Sequence, residues 1–197
     1  MVHDRHASDT APEPGSLVDE DTSYSDWQSP AGAMIEASIY RKAWPDALVN
    51  RLQHIAPKIF DDILAVHDSH PASVSLCLCD DLQMRRINCQ HRQIDKATNV
   101  LSFPTYDMPS HRLKLCVPVL LGDIVIAAET VTREAESLHI PVSDHLVHLF
   151  VHGMLHLFGY DHNDDDMAET MESLEIQFLA NIGIANPYQD IHLEVDN

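Results

Sequence analysis

The chain has no run of 18 apolar residues, which excludes a helical membrane span. Its opening stretch, MVHDRHASDTAPEPGSLVDEDTSYSD, lacks an apolar core, so no secretory signal is expected. Cysteine is scarce. Cys77, Cys79, Cys89 and Cys116 form no C-x-x-C pair, which excludes a disulfide framework and points to reduced thiols in the cytoplasm. Cys77 and Cys79 alternate as packing residues on one face of a strand do, which fits better than metal ligation. Basic residues are few as well, with 12 Lys and Arg against 31 Asp and Glu and a net charge of −19. Residues 161–197 carry ten acids and no Lys or Arg, and residues 1–30 carry seven acids and one Arg. Such a surface excludes a nonspecific nucleic-acid coat. Residues 31–160 hold eleven bases against fourteen acids, so a local basic cleft is compatible with the sequence.

What is present is enough for one folded domain. The chain has 197 residues, 45% of them hydrophobic. Residues 1–33, rich in Asp, Ser, Pro and Thr, read as a disordered acidic extension. The domain is expected over 34–188, with a tail over 189–197. MIEASIY and SVSLCLC read as strands. The segment from Trp44 to Asp68 reads as a helix interrupted at Pro57. DDLQMRRINCQHR reads as a helix capped by Asp80 or Asp81. NVLSFP and PVLLGDIVIA read as strands, with Gly122 marking a bulge or close approach. Three helices follow, over 127–139, 141–159 and 164–183. The expected class is α+β, a small mixed four-stranded sheet covered by helices.

The densest chemistry lies in HGMLHLFGYDH, residues 152–162. His152 and His156 are four apart and share one face of a helix, so both imidazoles can reach one ion. Gly159 lets the chain turn back and bring His162 to the same point. Three protein ligands with an open position are the mark of catalytic rather than structural zinc. One divalent ion is expected, zinc first, although imidazoles also suit nickel and copper. The ion would lower the pKa of a bound water toward about 7. Zinc peptidases with similar spacing carry Glu directly after the first His as the base; here that position is Gly153. Asp161 is open to three roles: base, partner orienting a ligand, or loop-surface acid. His145 and His148 read as a solvated or partly buried stripe on the same helix.

HGMLHLFGYDH resembles the H-G-x-L-H-L-x-G-Y-D-H signature of the YbeY family of bacterial rRNA maturation endoribonucleases. LLGDIVIA at 120–127 and INCQHRQIDKATNVLSFP at 87–104 are similar to two further blocks of that family. The acidic final helix and NPY at 186–188 are similar to its ending. The resemblance covers about residues 34–188. It implies metal ligands at His152, His156 and His162, and a functional Arg at Arg92. It departs from the family at His91, Ala97 and Asn99, where Tyr, Pro and Asp are usual, and a carboxylate role at position 99 is thereby put in doubt. Arg92 would hold phosphate oxygens with its planar guanidinium, with Lys96 as a weaker substrate contact. Arg85, Arg86 and Lys96 could extend a basic wall, though each fits an ordinary solvated helix face better, and Phe103 could stack on a base or simply be core.

The resemblance implies a single-strand-specific, metal-dependent endoribonuclease acting in 16S rRNA 3′-end maturation and ribosome quality control. Its partners would be rRNA and the small ribosomal subunit in the cytoplasm, with neither DNA nor membrane. Two other readings compete. A metallopeptidase fits the histidine spacing but lacks the Glu base. A non-catalytic ribosome-assembly factor would use the metal only to staple its fold.

Overall fold

The computed structural model describes residues 21–67, 71–105 and 119–189. The chain order is β1 (Thr22–Gln28), β2 (Met34–Tyr40), α1 (Asp46–Val66), β3 (Ser73–Cys79), α2 (Asp81–Arg92), β4 (Val100–Pro104), β5 (Leu120–Ala127), α3 (Ala128–Leu138), α4 (Val142–Leu157) and α5 (Asp165–Ala180). One sheet runs in the order β1-β2-β3-β5-β4. Its central strands β2, β3 and β5 are parallel, and β1 and β4 pair antiparallel at the two edges. The α+β class is as expected from the sequence.

The strand count is a correction: five strands, not four. The additional one, β1, comes from within the acidic stretch expected to be disordered. Its polar residues masked a strand pattern anchored by one large side chain, Trp27, which is 2% exposed. The turn after β1 is tied down by a carboxylate. Asp61 on α1 accepts a hydrogen bond from the Ser29 hydroxyl at 2.6 Å and another from the Ala31 amide at 3.2 Å. Residues 1–20 of the expected extension and 190–197 of the expected tail lie outside the described residues.

A second correction concerns α1, which runs unbroken through Pro57. A proline inside a helix costs about 3 kcal/mol. Burying a large aliphatic or aromatic side chain returns roughly 1.5–3 kcal/mol. Leu52, Ile59, Phe60 and Ile63 are all fully buried on this helix, so packing outweighs the lost hydrogen bond.

The two faces of the sheet carry different loads. The larger core joins α1, α4 and α5 to one face and includes Ile35, Ile39, Leu76, Ile124, Phe150 and Phe158. α2 covers part of the other face through Met84, against Cys79, Leu101, Val125 and Ala127. Cys77 packs against that same smaller cluster, so the two thiols share a strand face, and both are free.

α4 is the central helix, in contact with β4, β5, α1, α3 and α5. It is buried over most of its surface, with His148, His152 and His156 on its half-buried face. Two glycines set how closely it lies on the sheet. Gly122 has φ +151°, and a Cβ there would sit 2.2 Å from the Phe103 carbonyl oxygen and 2.9 Å from Leu157 on α4. The register between β3 and β5 shifts at this point, which is the bulge the glycine signalled. Gly153, on α4 itself, faces Ile124 and Ser102, and its carbonyl accepts a hydrogen bond from the Ser102 hydroxyl at 3.2 Å.

Candidate metal centre

α4 carries His152 and His156 one turn apart, and its end delivers the third histidine. Gly159, at φ +84°, takes the left-handed conformation that reverses the chain, and the Tyr160 amide donates back to the Leu155 carbonyl at 3.1 Å. Asp161 then shapes the turn. It accepts hydrogen bonds from the His162 backbone amide, at 2.8 Å, and from the Asn163 side chain. Both contacts brace the turn that carries His162, and neither touches its imidazole.

The three imidazoles converge. Their ligand nitrogens all lie within 4.8 Å of one another, and together they could hold a metal ion. The Nε2 atoms of His152 and His156 are 3.0 Å apart. Each ring's outer nitrogen is engaged elsewhere: His152 Nδ1 donates to Glu175 Oε1 at 2.8 Å, and His156 Nδ1 donates to the Tyr160 carbonyl at 3.0 Å. With Nδ1 of both rings donating outward, the two Nε2 atoms are left side by side as possible ligands. Two tetrahedral ligands at ~2.0–2.1 Å from one ion would stand about 3.3 Å apart. The donor set therefore fits a divalent cation. Burial, followed by the neighbouring His152, pushes the His156 pKa down and favours the neutral form that a metal requires.

Gly153 is where a zinc peptidase would place its base. A Cβ at this position would meet Ile124 at 3.0 Å and Ser102 at 3.1 Å. Position 153 faces the sheet, not the histidines.

Around the triad lies a polar network that the sequence reading did not isolate. Glu175 on α5 is 1% exposed. Beyond its contact with His152, its Oε2 accepts from His148 Nε2 at 2.8 Å and from the Tyr188 hydroxyl. Burial works to raise the Glu175 pKa, but the hydrogen bonds from His148 and His152 override it and hold the carboxyl at about 2. A signal was present in the sequence: Glu175 falls between Met171 and Phe178–Leu179, on the apolar stripe of an amphipathic helix. His145 is buried and pairs with Glu134 at 2.9 Å. Neither His145 nor His148 belongs to the triad.

Arg92 ends α2, beside β4. Its neighbour His91 packs its ring 4.9 Å from that of Phe103. Phe103 thus lies on the α2 side of the sheet, packed against the smaller cluster, while Ser102 faces α4. Arg92 and Lys96 are exposed, and neither side chain makes a hydrogen bond or ion pair among the described residues. No hydrogen bond, ion pair or ring contact among the described residues joins them to the three histidines. Arg85 does not extend a basic wall, because Asp95 neutralises it through two 2.6 Å hydrogen bonds. Asn99 donates to Glu134 at 2.9 Å, a role a carboxylate there could not play.

The comparisons agree with this architecture. The family model described as Endoribonuclease YbeY matches residues 40–183. The chain is 44% identical over 164 residues to the Endoribonuclease YbeY of Rhizobium meliloti, covering 79% of this chain and 95% of that one. It is also 44% identical to the Endoribonuclease YbeY of Bradyrhizobium diazoefficiens, covering 80% and 86%. Its fold is similar to the solution structure of TM1509 from Thermotoga maritima, with a TM-score of 0.50 at 20% identity over 75% of this chain and 87% of that chain. With the family model spanning residues 40–183 and relatives of this identity covering most of its length, the chain belongs to the YbeY endoribonuclease family.

Proposed function

We propose that this protein is a metal-dependent endoribonuclease that cleaves single-stranded rRNA at the 3′ end of 16S rRNA, on the small ribosomal subunit in the cytoplasm. The observation that carries the reading is the 3.0 Å approach of two histidine Nε2 atoms whose outer nitrogens are already engaged, with a third histidine alongside. His152, His156 and His162 would hold the ion, and the all-imidazole donor set is suited to zinc. When bound, the ion supplies Lewis-acid polarisation of a phosphate oxygen and acidification of a water.

The chain's own residues would do the rest. The Arg92 guanidinium, without a hydrogen bond or ion pair among the described residues, can take two phosphate oxygens and offset charge that develops there. Lys96 adds a second, weaker cation. α4 meets β4 from one face of the sheet and the end of α2 meets it from the other, so an RNA strand crossing this edge would encounter both. Gly153 offers no base and no space for one, which disfavours peptide hydrolysis.

The test is RNA cleavage after chelation, with rescue by defined metals on a structured 16S rRNA 3′ fragment. Cleavage should vanish on chelation and return with zinc. Cleavage that survives chelation, or survives equally in His156→Ala, would reject a metal-dependent nuclease.

A further inference from the structure

Among the described residues, Glu175 is the one buried carboxylate. Removing such a charge from water costs several kcal/mol unless partners compensate. Its partners are unevenly distributed. One oxygen takes His152, a proposed ligand, and the other takes His148 and the Tyr188 hydroxyl. His148 Nδ1 is buried with no hydrogen-bond partner among the described residues, so that ring is held through Nε2 alone.

The contact with His152 has a definite consequence. A carboxylate on Nδ1 keeps the proton there, leaves Nε2 as the free lone pair, and makes that nitrogen a better donor to a cation. His156 receives the same service from a backbone carbonyl. Glu175 is therefore the side chain through which a ligand's tautomer and direction are set. Tyr188 reaches it from a tight turn in which its amide donates to Asn186 Oδ1 at 2.8 Å. Pro187 lies between the two and stiffens that turn.

We propose that Glu175 is a positioning residue for the metal centre, and that the Asn186-Pro187-Tyr188 turn is a latch that holds Glu175 against His152. The proposal rests on the metal reading of the triad and goes beyond it, since affinity for the ion then depends on a segment that contains no ligand.

The test uses the full chain as wild type, Glu175→Gln, Tyr188→Phe and His156→Ala. Zinc and cobalt affinities are measured by chelator competition, with the visible spectrum of the cobalt form and unfolding temperatures with and without metal. Glu175→Gln should weaken binding by roughly 10–100-fold. Tyr188→Phe should weaken it by a smaller factor. Both should alter the cobalt spectrum, and both should lose more stability in the metal-bound form than in the metal-free form. A purely structural role would lower both forms equally and leave affinity and spectrum unchanged, and that result overturns the proposal. Should Glu175→Gln not fold, Tyr188→Phe decides alone, because it deletes a single hydroxyl. A wild type that binds no more metal than His156→Ala would overturn the metal reading and this proposal with it. Wild-type binding with unchanged variants would overturn this proposal only.

Discussion

His152 and His156 present their Nε2 atoms to each other at 3.0 Å, one helical turn apart. Their Nδ1 atoms are engaged elsewhere, so both Nε2 atoms are available to one ion. Metal binding should therefore stabilise the fold directly. At a free zinc concentration 100 times its Kd the gain is about 2.7 kcal/mol. Calorimetric unfolding with and without zinc should show a rise for wild type and none for His156→Ala. An equal rise in both would place the ion elsewhere.

Gly153→Glu should not create a peptidase. The new side chain would push into Ile124 and Ser102, at a cost on the order of 1–3 kcal/mol. Chemical denaturation should show the loss, and a peptide-library digest should show no cleavage. Peptidase activity in this variant would mean that position 153 can turn toward the ion after all.

Gly122→Ala should be the more damaging glycine replacement. Its neighbour at 2.2 Å is a backbone carbonyl, which cannot swing aside as a side chain can, and its φ of +151° disfavours any Cβ. A loss on the order of 3 kcal/mol is expected, enough to lower the yield of folded protein. A midpoint within error of wild type would contradict the close approach of β4 to β5 at this point.

Arg92→Ala should separate catalysis from structure. The side chain is exposed and makes no hydrogen bond or ion pair among the described residues, so stability should change by no more than about 0.5 kcal/mol. Zinc affinity should match wild type while rRNA cleavage falls steeply. Arg92→Lys should recover only part of the rate, because an ammonium cannot grip two oxygens as a guanidinium does. Full activity in Arg92→Ala would remove it from the reaction.

His145 gives a pH dependence with a definite sign. Burial pushes its pKa below the ordinary imidazole value, against the pull of Glu134. The unfolded chain then takes up a proton that the folded chain resists. The stability His145 contributes is present above about pH 6.5 and is lost as the pH falls below it. Denaturation midpoints at pH 7.5 and 5.5 should differ less in His145→Gln than in wild type. An unchanged difference would show that other groups carry the acid sensitivity.

Much of this was legible in the residues themselves. SVSLCLC is β3 residue for residue, because a short branched alternating run between turn residues has few other folds open to it. Asp80 caps α2 as expected, its carboxylate accepting the Gln83 amide at 2.7 Å. The histidine triad was legible because its spacing is local: two residues one turn apart, then a glycine reversal. What escaped was non-local. β1 exists because Trp27 finds the core and Asp61 ties down the turn after it, 30 residues and more away in sequence. Pro57 is tolerated because a helix face not visible from the proline itself is buried. Glu175 looked like one acid in an acidic helix, and only the return of Tyr188 and the approach of α4 reveal its partners.

The close seating of α4 on Ile124 and Ser102 also bears on how such sites can diverge. A single nucleotide change can turn a glycine codon into a glutamate codon, so a nuclease of this kind and a peptidase look like near neighbours in sequence space. The space beneath Gly153 says otherwise. Acquiring the acid would require Ile124 and Ser102 to give way or the helix to shift on the sheet, and a shift would carry His152 and His156 with it. The glycine is thus fixed as much by the packing beneath the helix as by the chemistry above it.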